Sequence, residues 1–235
     1  NYLKSIMQHG IPVIAYSPQK QKGLFTMSFD EYDGTRISVQ HLFDNGYNKI
    51  GFVTRNSQST DTMLRLCGYR SGLENNSLTY DDDMLYYVDN SEEIDGYDIA
   101  DKIIDDPNRP EAIVVISDEV AVGIMNRMFE RNVKVPEDIA VIAGGNIDIG
   151  SHPLYSLSTT TPDFVEIGDI LAKTLIEQFN ADEMEECHLN FRQKIIVRNS
   201  SGARSGTSKS AERVCEREVL GSVEIIKEKR CQQPV

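Results

Sequence analysis

The sequence predicts a doubly wound α/β protein, and three observations carry that prediction. Strand-like and helix-like segments alternate strictly from residue 3 to residue 197. The strand-like segments are short unbroken apolar runs, such as 112–116 and 139–143, the mark of strands buried on both faces. Between those two runs, Val120, Ile124 and Met128 recur at helical spacing, which makes 111–145 one βαβ unit with parallel strands and a right-handed crossover.

Taken in order, residues 3–9 read as the end of a helix closed by Gly10, and 11–16 and 24–29 as strands. Asp33-Gly34 opens a helix that turns Ile37, Val39, Leu42 and Phe43 inward and ends at Asn45-Gly46. A buried strand over 49–54 leads through a polar loop to a helix over 61–74. A strand at 85–88 and a helix over 92–105 come next, then the βαβ unit, whose helix is capped by Ser117 and Asp118 and stopped by Asn132 and Pro136. An irregular loop over 146–156, a strand at 157–160, a helix over 163–179 and a single strand over 191–197 complete the pattern. Residues 201–210 are rich in Ser and Gly and read as a linker, and 212–229 as a short charged helix or part of a disordered tail.

Composition narrows the functions. The net charge of −13 argues against this chain gripping a nucleic-acid backbone by itself. No apolar run approaches the length of a membrane span. Four cysteines far apart (Cys67, Cys187, Cys215, Cys231) read as reduced thiols of a cytoplasmic protein. The four histidines are scattered without zinc spacing, GGNIDIG (144–150) lacks the Lys-Ser/Thr of a phosphate loop, and no nucleophile sits in a recognisable elbow. Neither catalysis nor a cofactor is indicated. In open sheets of this kind ligands bind beyond the carboxyl ends of the strands, which singles out Asp118 and the Gly144-Gly145 turn.

Seven stretches in order resemble one family: HGIPVIAY (9–16), DGTRISVQHLFDNGYNKIGFVT (33–54), RLCGYRSGL (65–73), AIVVISDEVAVGIM (112–125), VPEDIAVIAG (135–144), LYSLSTTTPDFVEIG (154–168) and IIVRNSS (195–201). The chain resembles the effector-binding core of LacI/GalR transcription regulators, of the periplasmic-binding-protein type I fold. That resemblance implies two Rossmann-like subdomains with an effector cleft between them. Residues 1–29 and 162–189 would form an incomplete N-terminal subdomain that lacks its first strand–helix–strand portion, and 30–161 with 190–200 the C-terminal one. It also implies a side-by-side homodimer, a sugar-like effector, and DNA contact only through a headpiece absent from this chain. Two other uses of such a sensor remain open: the input module of a diguanylate cyclase or histidine kinase, and a transporter's solute-binding protein.

By the same resemblance, Arg65 is the family arginine whose planar fork grips ligand hydroxyls or a carboxylate; its competing reading is a surface arginine paired with an acidic neighbour. Asp118 matches a family aspartate that accepts from vicinal hydroxyls, with Ser117 beside it. Phe29 and Phe164 fall where the family sets an aromatic against the ligand's apolar face, unless they are simply core. Asp61 lines the same pocket or caps its helix, and Ser17 and Tyr16 end the first strand. Gly145 stands where many members carry a sugar-binding aspartate, which leaves the ligand class open between a modified sugar, a nucleoside and an acid, or the pocket degenerate.

Overall fold

The computed structural model describes residues 2–181, 186–202 and 223–226. In chain order the elements are α1 (Tyr2–Gln8), β1 (Ile14–Tyr16), β2 (Phe25–Phe29), α2 (Glu31–Asp44), β3 (Ile50–Arg55), α3 (Thr60–Asn75), β4 (Leu85–Val88) and α4 (Glu93–Ile104). Then come β5 (Ala112–Val115), α5 (Asp118–Glu130), β6 (Ala140–Gly144), β7 (Ser158–Thr161), α6 (Phe164–Asn180), β8 (His188–Phe191), β9 (Lys194–Ile196) and β10 (Val223–Ile226). They divide into two compact units. One comprises Asn1–Asp30, Pro162–Gln193 and β10; the other comprises Glu31–Thr161 and the segment that starts at Lys194.

The larger unit is a six-stranded sheet in the order β4-β3-β5-β6-β7-β9, parallel except for β9. Alternate residues of each strand enter different cores, because successive side chains of a strand point to opposite faces. Val53, Ile113, Val115, Val141 and Ala143 pack with Val120, Ile124 and Met128 of α5. Their neighbours Phe52, Ala112, Val114, Ala140 and Ile142 pack with Val39 and Leu42 of α2 and Tyr69 and Leu73 of α3.

Glycine sets how closely the helices on each face approach. A Cβ at Gly123 would stand 1.8 Å from the Glu93 carbonyl oxygen, and one at Gly68 would stand 2.1 Å from that of Tyr32. α5 ends where Asn132 turns left-handed at φ 56°, with Asn132 N–H on the Phe129 carbonyl and Val133 N–H on that of Met128.

The smaller unit is a four-stranded sheet, β1-β2-β8-β10, parallel up to β8 and antiparallel at β10. Its apolar face sets Phe25, Met27, Leu189 and Phe191 against Ile167, Ile170 and Leu171 of α6. The same two strands carry a buried polar row on their alternate residues. His188 bonds Thr26 Oγ1 through Nδ1 at 2.9 Å and Ser28 Oγ through Nε2 at 3.1 Å, and Ser28 donates to Asn190 Oδ1 at 2.9 Å.

Four sequence expectations are corrected here. The single strand expected over 191–197 is two strands in two sheets: β8 pairs with β2, and β9 pairs with β7. Residues 190–193 therefore belong to the smaller unit, because Ser28↔Asn190 and Phe29↔Phe191 are ladder partners. Within the span expected as a charged helix, Val223–Ile226 is a strand on β8, satisfied by a neighbouring backbone rather than by its own turn. The remainder of 203–235 lies outside the described residues. The second helix also starts two residues early, at Glu31.

Candidate functional site

The candidate side chains of the larger unit follow the carboxyl ends of β3, β5 and β6. β3 runs through a loop into α3, whose cap is Ser59, its Oγ accepting from Thr62 N at 3.3 Å. Asp61 is thus not the cap; it lies in the first turn, half-buried. Arg65 follows one turn later, and its Nε donates to Glu31 Oε2 at 2.8 Å. Glu31 opens α2 and its side chain is only 9% exposed, against 25% for Arg65. Among the described residues the two terminal guanidinium nitrogens of Arg65 have no hydrogen-bond partner. The acidic neighbour of the competing reading exists, but it grips the inner nitrogen of the fork and leaves the outer pair unused.

Ser117 caps α5, accepting from Val120 N at 3.4 Å. Asp118, the first residue of that helix, is fully buried. Its Oδ1 accepts from Thr159 Oγ1 at 2.7 Å and its Oδ2 from the Ile147 amide at 3.0 Å. Burial pushes the Asp118 carboxyl up, and the bonds from Thr159, Ile147 and Asn146 pull against that rise. The carboxylate thereby pins the loop after β6. In that loop Gly145 has φ 136° and Asn146 φ 59°, and Arg198 Nη2 donates to Asn146 Oδ1 at 2.8 Å. A Cβ at Gly145 would meet Asp118 Cγ at an ordinary 3.7 Å, so backbone conformation rather than space favours glycine there.

The smaller unit brings three aromatics together where β1 and β2 end and α6 begins. Tyr16 and Phe29 have ring centroids 5.7 Å apart, and Phe29 meets Phe164 edge-on at 5.9 Å. Phe29 also packs on the core, whereas Phe164 and Tyr16 are half exposed or more. Ser17 is buried and shapes its own turn, donating to the Gln19 carbonyl at 2.7 Å and accepting from Gln21 Nε2 at 3.2 Å.

Sequence reasoning missed Glu31, Thr159 and the His188 row. Glu31 carried a usable signal, an acidic residue directly after a strand end, where a carboxylate suits a helix N-terminus. Thr159 carried none, since its role depends on a partner far along the chain. Among the described residues no cluster of three or more His, Cys, Asp or Glu could hold a metal, and no helix is long and apolar enough to cross a membrane.

Strand order and connections together define a two-unit α/β protein. The chain belongs to the periplasmic binding protein-like domain family, whose model matches residues 39–201. It is 28% identical over 169 residues to the ribose operon repressor of Escherichia coli (strain K12), covering 72% of this chain and 51% of that protein. It is 29% identical over 177 residues to the NTD biosynthesis operon regulator NtdR of Bacillus subtilis, covering 74% and 53%. The HTH-type transcriptional repressor PurR of Vibrio atlanticus is 26% identical over 72% of this chain and 50% of its own length. The chain thus spans about half the length of these relatives. A sugar-binding LacI-family regulator from Escherichia coli, solved with phosphate, superposes with a TM-score of 0.73 at 22% identity, over 86% of this chain and 73% of that one. A LacI-family regulator from Enterococcus faecium with bound ribose gives 0.72 at 23%, over 85% and 74%. The fold is that of LacI-family effector-binding cores.

Proposed function

We propose that this chain is the effector-sensing and dimerisation core of a bacterial transcription regulator that works in the cytoplasm and has no catalytic role. The observation that carries the reading is Arg65, a guanidinium fork anchored on a buried carboxylate, its outer nitrogens without a hydrogen-bond partner among the described residues. Such a fork binds paired oxygens of a polar metabolite. Repressors among the relatives, and a neighbour holding ribose, support a sugar-like effector.

In this reading Arg65 contacts effector oxygens, with Asp61 and Ser117 nearby in the polar shell. Asp118 and Gly145 shape the effector-facing loop of the larger unit. In the smaller unit Phe29 and Phe164 offer an apolar surface suited to an effector's apolar face, with Ser17 shaping the turn after β1. DNA contact is assigned to a helix-turn-helix segment of the full-length protein, consistent with the −13 charge of this chain. Effector binding controls that segment only by favouring one conformation of the core over another, since equal affinity for both states switches nothing. The active species is a homodimer.

The test is thermal melting against sugars, sugar phosphates, nucleosides and small acids. An effector at about a hundred times its Kd raises stability by roughly 2.7 kcal/mol. Arg65→Ala is expected to abolish that rise. It also takes the guanidinium away from the buried Glu31 carboxylate and lowers the unliganded midpoint, so the readout is the ligand-induced shift measured from each variant's own midpoint. A rise that survives Arg65→Ala would remove Arg65 from the site, and a flat response across the panel would leave a dimerisation scaffold as the better reading.

A further inference from the structure

Why Arg65 stands where it does is a matter of helix packing. α2 and α3 run side by side in the same direction, and their contacts advance in step. Arg65 meets Glu31, Gly68 lies on the Tyr32 carbonyl, Gly72 on Val39, and Asn76 Nδ2 donates to Gln40 Oε1 at 3.0 Å. Gly68 follows Arg65 by three residues and has no side chain to hold the helices apart. The backbone of α2 therefore comes close enough for Glu31 to reach the Arg65 Nε at 2.8 Å. An ion pair set by backbone packing, with one partner buried, holds its geometry far better than one between two solvated side chains.

We propose that Glu31 is the positioning and charge-setting residue of the effector site; this rests on Arg65 being an effector contact, as argued above. Glu31 fixes the plane of the guanidinium through Nε and directs the two outer nitrogens as a pair. It also offsets the Arg65 charge at short range. An arginine so compensated donates hydrogen bonds well but attracts anions poorly, because an incoming phosphate or carboxylate meets the field of Glu31 as well. Of the other acids placed at the site, Asp118 already accepts from Thr159 and Ile147, and Asp61 lies one turn before Arg65. The Arg198 guanidinium beside the loop after β6 donates to the Leu157 carbonyl and to Asn146 Oδ1. The pair therefore selects a neutral vicinal diol over its phosphorylated counterpart.

Calorimetric titration of the whole chain with aldopentoses, aldohexoses and their 5- or 6-phosphates tests this. The wild type is expected to bind a neutral sugar more tightly than its phosphate. Glu31→Gln, which keeps size and an acceptor but removes the charge, is expected to shift that preference toward the phosphate by about tenfold or more. A merely structural Glu31 would change stability and leave the preference alone. Should circular dichroism find Glu31→Gln unfolded, Glu31→Asp decides: with charge kept and reach shortened, both ligands weaken several-fold and the preference persists. Unchanged affinities in Glu31→Asp, an unchanged ratio in folded Glu31→Gln, or a wild type that prefers the phosphate would each overturn the assignment. If binding is lost in Arg65→Ala and the Glu31→Gln ratio is unchanged, the effector reading stands and Glu31 alone falls. If the wild type binds no member of the panel, the sugar-effector reading fails, and the role of Glu31 falls with it.

Discussion

The two sheets of this protein are built from similar strands but buried differently. In the larger unit both faces of the central strands are apolar, with α4 and α5 on one side and α2 and α3 on the other. In the smaller unit one face of β2 and β8 is apolar, and the other carries Thr26, Ser28, His188 and Asn190 bonded to one another. The first sheet depends on close packing and the second partly on a buried polar row, so they should fail under different perturbations.

The largest expected effect comes from glycine. Gly123→Ala would press a methyl into the Glu93 carbonyl and the Tyr97 amide, at 1.8 and 2.8 Å, and should cost on the order of 3 kcal/mol in denaturant unfolding. The same change at Gly168, inside α6 of the smaller unit, meets nothing within 4 Å. There the better helix propensity of alanine should stabilise by up to about 1 kcal/mol. Equal effects at the two sites would erase the packing contrast.

Next in size is Asp118→Ala, which strands the Thr159 hydroxyl and the Ile147 amide and should cost about 2 kcal/mol. The folded protein holds the Asp118 proton to higher pH than the unfolded chain does, since burial raises its pKa. Its stabilising share is therefore complete below the ordinary carboxylate value of 3.8 and declines as pH rises through the folded value. The wild type's advantage over Asp118→Ala, followed by urea midpoints across pH, should narrow in that direction.

The smallest effect sharpens the polar side of the contrast. Burial, with Lys20 nearby, holds the His188 ring below the usual imidazole value of 6.5. Here the sign reverses: stability is complete above 6.5 and is lost as pH falls through the folded value. His188→Gln keeps hydrogen-bonding capacity without titrating, and should flatten that acid loss. An identical acid slope in the variant would show that the polar row is not what titrates.

Legibility in the sequence followed the same division. The strands at 49–54, 112–116 and 139–143 were readable because both their faces are apolar, so composition alone marks them. HLNF at 188–191 alternates polar and apolar over only four residues, a weaker strand signal than the richer apolar run ending at 197. At the candidate site, Arg65 and Asp118 were identifiable by resemblance and position. Their partners were not, because nothing local to Arg65 indicates an acid 34 residues earlier, or to Asp118 a threonine 41 residues later.

By itself the sequence determined the alternation of strands and helices, the caps and stops such as Ser117 and Asn132, and the fold class, since these follow from periodicity and short-range hydrogen bonding. Only the tertiary structure decided that one apolar stretch serves two sheets, that His188 lies between Thr26 and Ser28, and that Glu31 holds Arg65. Those pairings join residues 34 to 162 positions apart, and they exist because sheet register and glycine-close helices bring the groups together.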